Sequence, residues 1–138
     1  MKKVISAVLL IVLSFCFFAC GNNEETDLWV SALYTENKEL GNGAKTIFVD
    51  VIAQEKTVTF TINTDKETVG DALIEHNLVS GEKGAYGLYV KFVNGIEADY
   101  DKNQSYWAFT KGNESLLTGV DGEKIENNAH YELTYTKN

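Results

Sequence analysis

The stretch Asn94–Val120, NGIEADYDKNQSYWAFTKGNESLLTGV, decides the fold because it combines turn signals with a short aromatic strand. The pair Asn94–Gly95 is typical of a tight hairpin turn in which both central residues have positive φ. Side chains alternate along a strand, so Trp107 and Phe109 share one face while Tyr106 lies on the other. Aromatic residues on both faces exceed what one core face needs. The stretch therefore predicts a strand that also carries a binding surface.

Two strands joined by a turn are predicted upstream of this stretch. Thr46–Ala53 and Thr57–Asn63 are rich in β-branched residues, and apolar residues alternate with threonines in the second segment. This alternation is typical of a strand with one buried face. We therefore expect these segments to form a β-hairpin.

One amphipathic helix is predicted after the hairpin. Thr68 can cap the helix N-terminus through its side-chain oxygen, and Asp71 in the first turn is favoured by the helix dipole. Four residues at spacings of three and four share one face of this helix: Val69, Ala72, Leu73 and His76. Asn77 is expected to end the helix in the left-handed conformation.

The rest of the chain predicts short strands separated by loops. Gly81, Gly84 and Gly87 indicate a loop after the helix. The later segments are the strand Leu88–Val93, a short strand from Ile96, the loop Asp99–Ser105, and the strands Tyr106–Thr110 and His130–Thr136. This order predicts an α+β fold: one small domain over residues 44–138, with a helix packed across a mixed or antiparallel sheet, as in β-grasp-like folds.

The N-terminus predicts export and membrane anchoring. Lys2–Lys3 precedes an apolar run of about 15 residues, which is short for a membrane-spanning helix and fits a signal peptide. Ala19–Gly21 resembles the end of a bacterial lipobox, in which the cysteine is lipidated. We therefore predict a signal peptide over residues 1–19, a lipid on Cys20, a tether over residues 20–43 and a location on the extracytoplasmic face of the cell membrane. An uncleaved anchor is the alternative.

Not all of the predicted tether is polar. Cys20–Asp27 is acidic, and Asn37–Ala44 contains two glycines typical of a loop. Leu28–Tyr34, between them, is apolar enough to form a first strand or to dock on the domain.

Charge and cysteine content exclude several classes of protein. Lys2–Lys3 holds the only charged residues before Cys20, so the remaining 119 residues carry 10 basic and 20 acidic side chains, without any arginine. Nucleic-acid binding relies on basic surfaces, so no nucleic-acid partner is expected. Cys16 would leave with the signal peptide and Cys20 would carry lipid. No disulfide, thiolate metal site or cysteine nucleophile is therefore expected in the folded part.

Motifs for catalysis and metal binding are incomplete. Asp99–Asn103 begins like a calcium loop, but Gln104 and Thr110 stand where that loop needs glycine and glutamate. His76 and His130 lack a spaced carboxylate motif, and no nucleophile elbow or phosphate-binding loop occurs in the sequence. We therefore predict a protein that is not an enzyme, has no metal site and needs no cofactor.

Several of these segments together resemble a known family. The matching pattern comprises Thr68–Leu73, Val90–Ile96, Ser105–Phe109, Gly119–Val120 and Tyr131–Tyr135. It resembles the DUF4430 domain, which is similar to the C-terminal β-domain of transcobalamin and intrinsic factor. The resemblance extends over roughly Ala44–Lys137, and Asp121–Asn128 departs from the family pattern.

The resemblance implies contact with a corrinoid, because the vertebrate domain packs over one face of cobalamin. A flat apolar ring rimmed with carboxamides suits an aromatic wall beside free backbone groups in turns. The predicted function is therefore non-catalytic binding of a small ligand, a corrinoid, for capture or transfer to a membrane transporter. The predicted ligand-binding residues are Gly95, Tyr100, Tyr106, Trp107, Phe109, Gly119 and Val120.

Two alternatives stay open at this point. Exposed tyrosine and tryptophan also serve protein interfaces, so the domain could instead be an adhesion or adaptor module for a protein or a cell-wall glycan. Trp107 could also fill the core, which would leave Tyr106 as the exposed residue of its strand.

Overall fold

The strands of this protein form two sheets in the part that the computed structural model describes, residues 26–138. The predicted signal peptide and Cys20 lie outside the described residues. The strands are β1 Lys38–Leu40, β2 Lys45–Ala53, β3 Lys56–Thr64, β4 Val79–Gly84, β5 Gly87–Val93, β6 Ile96–Glu97, β7 Ser105–Lys111, β8 Glu114–Ser115 and β9 His130–Lys137. The helices are α1 Val69–Glu75 and the one-turn α2 Tyr100–Asn103, and 3₁₀ turns span Leu28–Ser31 and Val120–Gly122. The larger sheet is mixed, in the order β1-β3-β2-β9-β7-β8, and the smaller antiparallel sheet has the order β4-β5-β6.

The predicted hairpin is confirmed as β2 and β3. Val51 pairs with Val58 across the two strands, and the turn places Gln54 and Glu55 at φ values of 50° and 63°. Positive φ at both positions matches the twist of the flanking strands. The buried residues of this hairpin alternate along both strands: Ile47, Val49, Val51, Ala53, Val58, Phe60 and Ile62. Each buried valine, isoleucine or phenylalanine contributes about 1.5–3 kcal/mol relative to an exposed one.

Strand β9 joins the hairpin to β7. It runs parallel to β2 and antiparallel to β7, so that Leu133 lies between Val51 of β2 and Phe109 of β7. Leu133 and Val51 are buried in the core. Because side chains in register share a face, Trp107 and Phe109 point to the core side of the sheet and Tyr106 points to the other side.

Helix α1 forms as the sequence predicts. The Thr68 side-chain oxygen accepts a hydrogen bond from the Asp71 N–H at 3.2 Å, and Asn77 follows the helix at φ 59°. The helix packs against β4 and against the turn Val120–Gly122. Its buried residues are Val69, Gly70, Ala72 and Leu73. The helix therefore closes one side of the core.

The predicted loop at Gly81, Gly84 and Gly87 is wrong, because these residues belong to the β4–β5 hairpin. β4 buries only Val79 and exposes its other residues, so its sequence lacks the alternation that indicates a strand. Antiparallel pairing with β5 orders these residues as a strand.

The predicted loop Asp99–Ser105 contains helix α2. The Asp99 carboxylate accepts a hydrogen bond from the Asp101 N–H at 3.0 Å and thereby caps this single turn. The acidic residues that begin like a calcium loop therefore have a local structural role.

The predicted tether over residues 20–43 needs correction, because its second half packs on the domain. Trp29 is buried, and its Nε1–H donates to the Ala53 carbonyl at 3.0 Å. β1 pairs in parallel with β3. The segment from Leu28 therefore docks as a 3₁₀ turn, and the packed domain begins near Leu28 instead of residue 44.

The side chain of Gln54 fixes the start of this docked segment. Its Oε1 accepts from the Leu28 N–H at 2.8 Å, and its Nε2 donates to the Thr26 carbonyl at 2.8 Å. The Gln54 amide thus satisfies one backbone N–H and one backbone carbonyl at the start of the docked segment.

A single core joins the two sheets and α1, with buried residues contributed by each. Two sheets and a helix that share one core confirm the predicted α+β class. Within residues 26–138 no helix has both the length and the apolar character needed to cross a membrane.

Asn94 holds the docked segment against the smaller sheet. The residue is buried, its Oδ1 accepts from the Tyr34 N–H at 3.0 Å, and its Nδ2 donates to the Tyr34 carbonyl at 2.8 Å. Its own carbonyl accepts from the Leu33 N–H at 2.9 Å. The residue therefore both forms the turn and binds the backbone of Leu33 and Tyr34, about 60 residues earlier in the chain.

We expect Asn94→Ala to lower the free energy of unfolding by about 1–3 kcal/mol, because two backbone groups of Tyr34 lose their buried partners. Urea denaturation measures this loss. Asn113→Ala is the matched control, since Asn113 also has positive φ, at 68°, but its side chain is exposed. Equal losses in the two variants would show that backbone strain alone accounts for the effect.

Candidate ligand-binding cleft

Four of the predicted site residues meet in one cleft beside the core. The cleft has a volume of about 160 Å³ and lies between β5, β7, β9 and the loop that precedes the second 3₁₀ turn. Its lining residues are Leu88, Tyr89, Val90, Trp107, Phe109, Gly119, Val120 and Leu133. The sequence identified Trp107, Phe109, Gly119 and Val120.

Trp107 forms the deep part of the β7 wall. Its side chain is only 7% exposed, and its Nε1–H donates to the Ile96 carbonyl at 3.3 Å. The indole ring meets Tyr135 edge-on, with centroids 5.6 Å apart. Trp107 is therefore a core residue with one edge at the cleft, which resolves the alternative left open by the sequence.

Phe109 forms the outer part of the same wall. Its ring stacks on Tyr131 with centroids 5.8 Å apart and an interplanar angle of 16°. The side chain is half-buried, so one ring face rests on the core while other atoms reach solvent. Phe109 is therefore the aromatic residue of β7 that a ligand can contact most directly.

The opposite wall comes from β5, which sequence reasoning did not assign to the site. Leu88 and Val90 pack against the core, and Tyr89 between them is exposed. The alternation of apolar residues along β5 indicates a strand with one buried face. No local feature of the sequence indicates that this strand faces β7.

Asp121 fixes the loop that closes the cleft. Its Oδ2 accepts from the Leu88 N–H at 3.0 Å and lies 3.5 Å from Lys83 Nζ. These contacts tie the loop containing Gly119 and Val120 to β5 and to β4. Asp121 was missed because it belongs to the stretch that departs from the family pattern.

The other three predicted residues lie elsewhere, which corrects their assignment to one site. Tyr106 points to the outer face of the large sheet. Tyr100 is on α2, where its hydroxyl accepts from Asn138 Nδ2 at 3.1 Å. Gly95, at φ 80°, sits so close to the Ser31 carbonyl that a Cβ would collide with it, so its role is to let the N-terminal segment dock.

Paired charges lie beyond Phe109 along β7. Lys111 Nζ is 2.7 Å from a Glu126 oxygen, 3.9 Å from Glu123 and 5.9 Å from the centre of the Tyr131 ring. The hydrogen bond with Glu126 raises the pKa of Lys111, and the same bond lowers the pKa of Glu126. Burial raises the pKa of the Tyr131 hydroxyl. These charges lie outside the lining of the cleft, which is apolar.

The chemistry that this lining offers is apolar contact. Among the described residues that line the cleft, Tyr89 alone has a titratable side chain. Over residues 26–138, no three His, Cys, Asp or Glu side chains are grouped as a multi-ligand metal centre requires. The arrangement can hold an apolar surface against Phe109 and Leu88 and offer backbone groups from the Gly119 loop.

Fold and cleft together define a small α+β domain with an apolar groove at the side of a mixed sheet. The chain belongs to the DUF4430 family: the model described as "Domain of unknown function (DUF4430)" matches residues 66–137. No curated protein sequence matches the chain.

Two solved structures resemble this domain. The crystal structure of a candidate metal-binding protein from Ruminococcus gnavus ATCC 29149 is 35% identical, with a TM-score of 0.66, and the match covers 69% of this chain and 99% of that one. Haptocorrin in complex with Cbi is 17% identical, with a TM-score of 0.52, over 71% of this chain and 26% of haptocorrin. The predicted family and its transcobalamin-like fold are therefore confirmed.

We expect Trp107→Ala to lower the free energy of unfolding by about 3–5 kcal/mol, because it leaves a cavity in the core. Tyr106→Ala, the neighbouring residue on the outer face, should change it by no more than about 1 kcal/mol. Thermal or urea unfolding of both variants measures the difference. A stable Trp107→Ala protein would contradict the core assignment.

The ion pair of Lys111 and Glu126 predicts a pH-dependent contribution to stability. Because the folded pKa of Glu126 is lowered, its contribution is present above the ordinary carboxyl pKa and disappears as the pH falls through the folded value. Because the folded pKa of Lys111 is raised, that contribution is lost as the pH rises through its folded value. Both groups are open to solvent, so the effect should be small and weakened by salt.

Lys111→Met should return the pKa of Glu126 toward its ordinary value. NMR titration of the Glu126 side-chain carboxyl carbon in the two proteins measures the change. Lys102→Met is a control, since Lys102 pairs with other carboxylates. An unchanged Glu126 titration in Lys111→Met would show that the hydrogen bond does not set this pKa.

Proposed function

We propose that this protein is an extracytoplasmic binding protein, anchored by a lipid on Cys20, that holds a corrinoid without catalysis and passes it to a membrane transporter. The observation that carries the proposal is the apolar cleft between Phe109 and Leu88, closed by the loop with Gly119 and Val120. A lining of this kind favours binding a flat apolar surface over acid–base chemistry.

The size of the cleft suits contact with one face or edge of a large ligand. Pockets that enclose drug-sized molecules measure about 300–1,000 Å³, and this cleft measures about 160 Å³. Tyr89, in the wall of the cleft, is exposed, and so are Tyr86, one residue before β5, and Leu117, two residues before Gly119. The exposed ring of Tyr89 would extend the apolar surface that a corrin ring covers.

Kinship of fold supports the choice of ligand class. Haptocorrin was solved in complex with Cbi, and its match to this chain spans about a quarter of its length. The matched domain by itself would cover only part of such a ligand, so a partner such as a transporter subunit would supply the second wall.

The sequence supports the location. The lysine pair and apolar run before Cys20 fit an exported precursor, and a diacylated cysteine provides the two chains that stable anchoring needs. The excess of acidic residues gives no attraction to anionic lipid headgroups, so the proposed lipid is what holds the protein at the membrane.

A second candidate function is favoured by Tyr86 and Leu117, which are both fully exposed. Large apolar side chains that stand in solvent are typical of protein-docking surfaces. Under this alternative the domain is an adhesion or adaptor module, and the cleft receives a side chain of the partner.

Titration calorimetry with cobalamin and cobinamide tests the corrinoid proposal. We expect saturable heat with the wild-type protein and at least a tenfold weaker Kd in Phe109→Ala, because the exposed ring edge of Phe109 forms the outer wall. Tyr106→Ala is the matched control, since it removes an aromatic ring from the opposite face of the same strand. Unfolding curves of both variants confirm that they are folded.

Two outcomes would contradict the proposal. One is the absence of both heat and tryptophan quenching at high micromolar corrinoid. The other is equal weakening by Phe109→Ala and Tyr106→Ala, which would remove the cleft from the binding site.

A further inference from the structure

A second and larger concavity lies at another end of the domain, where β2 begins, β3 ends and α1 ends. We name it the His76 cavity; its volume is about 430 Å³. Its lining residues are Gly41, Asn42, Gly43, Asn63, Thr64, Asp65, Lys66, Glu75 and His76. It shares no residue with the cleft, and its lining is polar where that of the cleft is apolar.

Gly41 makes room for the imidazole of His76. Its φ is 84°, and a Cβ at this position would collide with the Asn63 carbonyl and lie 3.0 Å from His76 Nε2. The β1–β2 loop can therefore approach the end of β3 closely only with glycine here, and no side chain at position 41 covers Nε2.

His76 Nε2 is a buried polar atom without a hydrogen-bond partner. The nearest group of opposite character is Glu75 Oε1, at 3.7 Å, which is too far for a hydrogen bond. Buried polar groups in folded proteins are almost always paired, because an unpaired one lowers stability. The unpaired Nε2 therefore calls for a partner, either a water molecule or an ion, beside the Glu75 carboxylate, whose Oε1 already accepts a 3.5 Å hydrogen bond from Thr64 Oγ1.

We propose that the His76 cavity binds a divalent transition-metal ion between His76 Nε2 and the Glu75 carboxylate. Metal–nitrogen and metal–oxygen distances in zinc sites are about 2.0–2.2 Å, so two donors bound to one tetrahedral ion lie roughly 3.4 Å apart. The observed separation of 3.7 Å between Nε2 and Oε1 is close to this value and too long for a direct hydrogen bond. Imidazole with carboxylate suits zinc, nickel and copper.

The remaining ligands of this ion are water molecules. In the described part of the chain no third His, Cys, Asp or Glu joins the pair. Asp65, also in the cavity lining, has its Oδ1 engaged by the Ala44 N–H at 2.9 Å. Glu75 is 42% exposed and His76 18% exposed, so the ion would be open to solvent on the carboxylate side. The site is therefore an open one with exchangeable water positions.

This inference does not depend on the corrinoid proposal, since the two sites share no residue. Loss of corrinoid binding would leave metal uptake at His76 unaffected, and failure of metal uptake would leave the cleft unaffected.

The experiment uses the full-length chain in detergent micelles, with zinc chloride as the probe. The sequence has only two histidines, so ¹⁵N NMR of the imidazole rings reports on His76 and His130 separately. His130 stacks on Phe48 with ring centroids 4.6 Å apart and serves as an internal control. We expect zinc to shift the ring nitrogens of His76, to leave those of His130 unchanged, and to raise the melting temperature.

Variants test the two proposed ligands. His76→Gln should abolish the rise in melting temperature. Glu75→Gln should weaken the zinc Kd at least tenfold, while Asp71→Asn, which alters an exposed carboxylate on the same helix, should change it less than twofold. If His76→Gln does not fold, Glu75→Gln decides the matter, since Glu75 lies at the surface and its substitution leaves the core intact.

Three results would overturn the proposal. They are an unshifted His76 ring at 1 mM zinc, equal shifts of both histidines, and equal zinc affinity in Glu75→Gln and Asp71→Asn.

Discussion

The parallel pairing of β2 with β9 is the constraint on which the rest of the domain depends. It places the last strand of the chain beside one of its first, with Val51 against Leu133 and Val49 against Tyr131. All four side chains are buried. Parallel neighbours need a long connection, and here that connection contains α1, the smaller sheet and β7. The elements that build the cleft are therefore held in place by a contact between segments about 80 residues apart.

Local signals in the sequence were enough for the elements whose structure is decided locally. The alternation in β3, the cap at Thr68 and the Asn94–Gly95 turn each correspond to the observed element. β4 could not be recognised, because its exposed residues and glycines match a loop and only pairing with β5 orders it. Docking of Trp29 was left open for the same reason, since its partner, the Ala53 carbonyl, is 24 residues away.

The residues of the candidate site also divide into those that local sequence identifies and those that depend on contacts between distant segments. Alternation along β7 correctly put Trp107 and Phe109 on one face, and the Gly119–Val120 pair was found from the family pattern. Leu88, in the facing wall, and Asp121, which holds the loop, take their positions from the packing of β5 against a loop that is distant in sequence. The spacing of residues along the chain does not reveal this packing. Tyr100 and Gly95 were grouped with the site as an aromatic residue and a turn glycine, yet Tyr100 lies on α2, where it accepts a hydrogen bond from Asn138, and Gly95 lets the N-terminal segment dock.

The hydrogen bonds of Gln54 with Thr26 and Leu28 distinguish one end of the domain from the other. The chain that precedes residue 26 enters where β2 ends, whereas the His76 cavity opens where β2 begins. Nine residues of extended strand separate these two poles, a distance of about 26 Å. A body attached to the N-terminal side, whether a lipid surface or another module, would therefore crowd one pole and leave the metal-sized gap at the other pole facing the surrounding medium.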